Sequence, residues 1–131
     1  MKFTITGQLP GMNEIIAASK THFGAYSSLK KKYSKDIMSC IFALKTIDYY
    51  AHQVDVLITW HCQNKRRDKD NITAGTKFIL DALQTTGIIQ NDNWKGIGKI
   101  THDIQLDRKN PRIEVELIPV EVTHEKQENK K

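Results

Sequence analysis

Residues 2 to 9, KFTITGQL, alternate apolar and polar side chains with a period of two, so the chain is expected to open on a β-strand. No sustained period follows in PGMNEIIAASKTHFGAYSS; with Pro10 and Gly11 at its head, it is expected to be a long irregular segment. From Ser28 to about Ile47 the spacing becomes three and four, through Tyr33, Ile37, Ile41 and Leu44, which predicts a helix capped by Ser27 or Ser28 with one face on a sheet. VDVLITWHC, residues 54 to 62, returns to period two and puts Val54, Val56, Ile58 and Trp60 on one side of a second strand. A second helix is expected next, capped by Asp70 or Asn71, facing Ile72, Phe78, Ile79, Ala82 and Leu83 inward and ending at Gly87. GIIQNDNWKGIG then combines a short apolar stretch with a polar turn. KITHDIQL and RIEVELIP are two further strands, separated by a turn at DRKNP.

This order predicts an α+β fold, a mixed sheet of about four strands with two main helices packed largely on one face. Residues 1–119 are expected to form a single domain, because 131 residues can bury one core but not two. Residues 120–131, VEVTHEKQENKK, lack apolar spacing and are expected to be a charged, mobile tail. The pattern contains no internal repeat and does not reveal the strand order.

Composition narrows the class. An apolar fraction of 39% suits a folded chain rather than a disordered one. No run reaches the length needed to cross a bilayer, and Met1 leads straight into the first strand without a signal-peptide pattern, so a cytoplasmic protein is expected. Cys40 and Cys62 have no metal-finger spacing and read as reduced thiols. Twenty Lys and Arg against fifteen Asp and Glu give a net charge of +5, which favours a polyanionic partner through counterion release. Much of that charge lies in KKK at 30 to 32, KRR at 65 to 67 and the last two lysines, and such runs are commonly solvated faces.

Candidate chemistry concentrates in RRDKDNITAGTKFILDAL, residues 66 to 83. Asp68 and Asp70 are two residues apart; in an extended segment they point one way and Lys69 the other, an arrangement able to hold a hard cation such as magnesium. The competing interpretation has Asp70 or Asn71 capping the helix and Asp68 pairing with Arg66 or Arg67, and the spacing leaves the two equally supported. Asp92 is a third candidate carboxylate, expected to return beside the end of the second strand, although NDN is also ordinary turn chemistry. Lys77, two helical turns beyond Asp70, can reach a phosphate near the helix start or pair with Asp81. Three carboxylates, a lysine and adjacent arginines suit a metal-dependent nuclease site, with the basic side chains offsetting repulsion between the carboxylates and DNA. Trp60 is expected in the core, while for Trp94 beside Lys95 a core position and an outward role, base stacking or packing against a partner, are equally supported. His52, His61, His102 and His124 lack ligand spacing, and His61 alone stands near the site.

The run RRDKDNITAGTKFILDALQTTGIIQNDNWKGI resembles the RusA-like family of Holliday junction resolvases, small endonucleases often carried by phages and prophages. The likeness lies in the R-D-x-D-N block, the helix with K-x-x-x-D-A-L, the glycine that ends it and the Asp in the next turn; LPGMNEIIAASK adds the family's N-terminal pattern. The resemblance implies that Asp68, Asp70 and Asp92 bind Mg2+, with Mn2+ as a substitute, and that Lys77 is the essential lysine. It also implies a homodimer that nicks two strands of a four-way junction in DNA recombination and repair. DNA contacts are then expected from Lys65, Arg66, Arg67 and Lys77. Lys77 stands about one helical turn farther from the second Asp than the family pattern has it, and Asn91 replaces the acidic residue often found before the last Asp. A nuclease of broader flap or fork specificity, or a non-catalytic basic recombination accessory protein, are the alternatives.

Overall fold

The computed structural model describes residues 1–22, 24–91 and 93–120. Asp92 and most of the tail, residues 121–131, lie outside the described residues. The elements run β1 (Lys2–Thr6), α1 (Met12–Thr21), α2 (Ala25–Phe42), β2 (Val54–Cys62), α3 (Lys69–Thr73), α4 (Thr76–Thr85), β3 (Ile97–Leu106) and β4 (Arg112–Pro119). The four strands form one mixed sheet in the order β1-β4-β2-β3. β1 with β4 and β4 with β2 are antiparallel, whereas β2 and β3 are parallel.

Period-two alternation decides which sheet face is buried. Phe3, Ile5, Val54, Val56, Ile58, Trp60, Ile113, Val115 and Leu117 project to one side and are buried. Against them lie Ile37 and Ile41 from α2, Phe78, Ile79, Ala82 and Leu83 from α4, and Ile88 and Ile89 from the chain beyond α4. The expected α+β class, the four strands and the apolar faces are therefore all present. Gly87 adopts a positive φ of 80° just past α4 and ends it, as expected.

Three helix assignments differ from the pattern. The segment expected to be irregular contains α1, which buries none of its residues completely and so shows no broad apolar stripe. The helix expected from Ser28 to Ile47 runs instead from Ala25 to Phe42, starting after Gly24 at φ 89°. The single helix expected after the acidic block is two, α3 and α4, broken at Ala74 and Gly75. A Cβ on Gly75 would stand 3.1 Å from Leu9 and 3.3 Å from the Trp60 ring, so glycine lets this junction sit against the core.

Candidate active site

The site region grows from the C-terminal end of β2. There the 107–111 turn passes over the end of β2 to connect β3 with β4 on its other side, and the Asp107 N–H donates to the Cys62 carbonyl at 2.7 Å. The Asp107 carboxylate accepts the N–H groups of Lys109 and Asn110, an Asx turn, and its other oxygen takes Arg112 Nη1 at 2.9 Å. That Arg112 hydrogen bond holds the Asp107 carboxyl below the usual carboxylate range, and a second Arg112 bond at 2.9 Å does the same for Glu114. His61 belongs to this group: it lies on the outer sheet face with Nε2 3.6 Å from Glu114 Oε2. It sits beside Glu114, and its Nε2 has no hydrogen-bond partner among the described residues.

Beyond Asn64 the chain turns into α3. Asp68 is its N-cap in extended conformation, φ −67° and ψ 155°, yet its side chain makes no capping hydrogen bond. Asp70 is already helical, so the expected extended alternation of Asp68, Lys69 and Asp70 does not hold. One Asp70 oxygen accepts the N–H of Asn71 at 3.0 Å. Both carboxylates are exposed, and no ion pair to either is present among the described residues. Neither the capping role expected of Asp70 or Asn71 at this helix nor the pairing of Asp68 with Arg66 or Arg67 is found there.

The neighbouring residues explain why the block is held so firmly. Asn71 turns its side chain away from α3, and its Oδ1 accepts the Asn13 N–H at 3.0 Å, in the first turn of α1. A Cβ at Gly11 would fall 2.5 Å from that oxygen, so Gly11 is required for the approach. The Gly11 N–H donates to the Glu14 carboxylate at 2.6 Å. Arg67 donates to the Leu9 carbonyl at 3.1 Å and the Gln8 side chain at 3.2 Å, and lies 3.9 Å from Glu14. Arg67 and Asn71 therefore tie the acidic block to the chain between β1 and α1. Arg67 is expected at the DNA from its sequence neighbours; its bonds to Leu9 and Gln8 have no signal in the local sequence.

The remaining cations are differently placed. Lys65 and Arg66 are exposed and unpaired among the described residues. Lys77 is exposed on α4, and Asp81, its expected partner, pairs instead with Lys30 of α2 at 3.2 Å. A cleft of about 430 Å³ opens beside Asp68, lined also by Lys65, Lys69, Cys62, Ile104 and Leu106. Burial pushes the Cys62 thiol up despite the lowering influence of Arg67, so it behaves as a packed side chain.

Asp92 lies outside the described residues; the residues after it, 93–97, are placed against the start of β2. The Val54 N–H donates to the Gly96 carbonyl at 3.0 Å, Gln53 donates to the Trp94 carbonyl at 2.8 Å, and Val54 stands opposite Ile97. This is the start of β2, not its end. A parallel neighbour needs a crossover that carries the chain back along the sheet before β3 begins, so the stretch leading into β3 lies at that start; the expectation for Asp92 itself falls on a residue outside the described ones. Along β2 the two ends are about 26 Å apart at the usual strand rise. Among the described residues, no three His, Cys, Asp or Glu side chains gather as a metal site. Trp60 is buried, with Nε1 donating to His102 Nδ1 at 3.0 Å, whereas Trp94 is 92% exposed.

The sequence model of the family described as Endodeoxyribonuclease RusA matches residues 10–118. No curated protein matches the chain. No described helix is long and apolar enough to cross a membrane.

Proposed function

Because the chain belongs to the RusA endodeoxyribonuclease family, we propose that it is a divalent-metal-dependent Holliday junction resolvase, acting as a homodimer that nicks two strands of a four-way junction. The observation that carries this is the state of Asp68 and Asp70: exposed carboxylates, free of capping and basic partners among the described residues, with Asp68 and Lys65 lining an open cleft. Unpaired carboxylates so close together gain from a shared cation, and hard oxygen donors suit Mg2+ or Mn2+. Asp68 and Asp70 would hold it, with Asp92 as the third ligand. Such an ion supplies Lewis acidity at the scissile phosphate and lowers the pKa of a water it binds.

The chain's own part is binding and charge. Lys65 and Arg66 neutralise the backbone as it enters, and Lys77 stabilises charge growing on the phosphate oxygens. Arg67 and Asn71 act as positioning residues, because they fix α3 and so fix the two carboxylates. A four-way junction presents two symmetry-related bonds, which a chain with one site cuts together only as a two-fold dimer.

The test is a synthetic four-way junction incubated with the protein in Mg2+. Paired nicks are expected, with Asp70→Asn lowering the rate by on the order of 10³-fold while junction binding persists. Unchanged cutting by Asp70→Asn would remove the catalytic assignment. Binding without nicking in either metal would favour an accessory protein, and equal cutting of linear duplex would argue for broader specificity.

A further inference from the structure

The turn between β3 and β4, residues 107–111, is pinned from several sides. The Asp107 N–H bonds the Cys62 carbonyl at the end of β2, and the Gly7 N–H, just past β1, donates to the Pro111 carbonyl at 3.0 Å. Within the turn Asp107 accepts two backbone N–H groups, and Arg112 donates to Asp107 at 2.9 Å and to the Asn110 carbonyl at 3.0 Å. Bonds on this scale fix where the turn stands and what it carries. Two side chains take no part in them. Arg108 and Lys109 are exposed, and no ion pair to either is present among the described residues. Their neighbour Asp107 is already paired with Arg112, so it does not neutralise them.

The position of the turn gives these two charges a use. Leu106, the last residue of β3, lines the cleft that Asp68 also borders, and the turn continues from it. The chain after β2 supplies another part of the lining, Asn64, Lys65, Asp68 and Lys69, and there Lys65, Arg66 and Lys69 are exposed. Cations therefore follow both segments that border the cleft. Asp107 is bonded to Cys62, and Lys65 comes three residues after Cys62, so one strand end sets the spacing between the two basic groups.

We propose that Arg108 and Lys109 make the 107–111 turn a phosphate-binding element, which grips the DNA backbone on the β3 side of the cleft while Lys65 and Arg66 hold it on the α3 side. The choice of DNA rests on the proposed nuclease function; the charge argument stands on the turn itself. Basic groups separated by a cleft match a chain of regularly spaced anions, whereas a single small anion needs donors that converge on one point. Because the turn is already fixed, only the two side chains lose freedom when the backbone arrives. Contacts of this kind carry no base sequence, so they set how the strand lies across the acidic block and not which bases it contains.

The test separates binding from cutting. A fluorescent synthetic four-way junction is titrated with the full-length protein in metal-free buffer over a series of salt concentrations. Arg108→Ala with Lys109→Ala is expected to weaken binding on the order of ten-fold at about 0.1 M salt, and to lower the slope of log affinity against log salt by about 2. Lys31→Ala with Lys35→Ala removes the same charge from exposed positions of α2 and is expected to keep the wild-type slope. Arg108→Lys, which preserves the charge, is expected to bind as wild type does. Wild-type affinity and slope in the turn variant would overturn the proposal. An equal loss in the α2 variant would assign the effect to net charge, and a loss in Arg108→Lys as large as in Arg108→Ala would assign it to packing; either result also overturns it. Turn-dependent binding by a wild type that nicks in neither Mg2+ nor Mn2+ supports the turn and counts against the nuclease function. Nicking by wild type, with turn variants that bind normally, removes the turn and leaves that function standing.

Discussion

The two edge strands carry similar alternating sequences and meet opposite fates. In β1, Phe3 and Ile5 are 2% and 3% exposed, because α2 packs across that side of the sheet. In β3 the corresponding inward positions, Ile100 and Leu106, stay open to solvent, since the helices cover β1, β4 and β2 and stop there. Alternation states that a strand has one apolar face; it does not state what covers the face. A helix of the same chain covers the first edge, and the second stays open to solvent.

The largest effect that would sharpen this contrast is at the covered edge. Phe3→Ala is expected to destabilise the fold by about 3–5 kcal/mol, since it empties a fully packed position. Ile100→Ala at the open edge is expected to cost less than about 1 kcal/mol in dilute protein, where the side chain is already hydrated. Denaturant titration of both variants checks the pair, and equal losses would mean that β3 is buried in a way the single chain does not show.

An intermediate effect is expected at the tie between α1 and the acidic block. Asn71→Ala removes the acceptor for the Asn13 N–H and is expected to cost about 1 kcal/mol. Amide exchange of the first turn of α1 should quicken in that variant while the strands remain protected. If α1 is unaffected, Asn71 has no positioning role and its presence in the acidic block must be explained by direct contact with the reaction.

The smallest effect separates the edges by pH. His102 on β3 accepts the Trp60 Nε1 hydrogen, and desolvation against that ring holds its imidazole below the ordinary histidine range. Its folded value is below the unfolded one near about 6.5, so the unfolded chain takes up the proton first. The contribution to stability is present above the unfolded value and is lost as pH falls through the folded one. Melting curves at successive pH values should show a slope across that window that His102→Ala reduces; an unchanged slope would assign it to other groups. β1 carries no histidine and has no counterpart to this behaviour.

Much of the fold was legible because periodicity reports burial directly. The strands at 54–62 and 112–119 and the inward set Phe78, Ile79, Ala82 and Leu83 were readable from spacing, since each lies against the core. α1 was not, because a helix that buries none of its residues leaves no stripe in the sequence. The break at Gly75 was also hidden: it answers to Trp60 and Leu9, which are distant in the chain. In the site, the closeness of Asp68 and Asp70 along the chain was visible from local spacing, whereas the bonds of Arg67 to Leu9 and Gln8 were not, because those partners lie nearly sixty residues away.

By itself the amino-acid sequence determined which residues alternate, which carboxylates stand together and which family pattern they fit, since these depend on neighbours along the chain. Tertiary structure alone decided that β3 lies parallel to β2, and that one pairing sends the 93–96 segment to the far end of the sheet from Asp68. Strand direction and order are set by how the whole chain packs its crossover, a property no local spacing encodes.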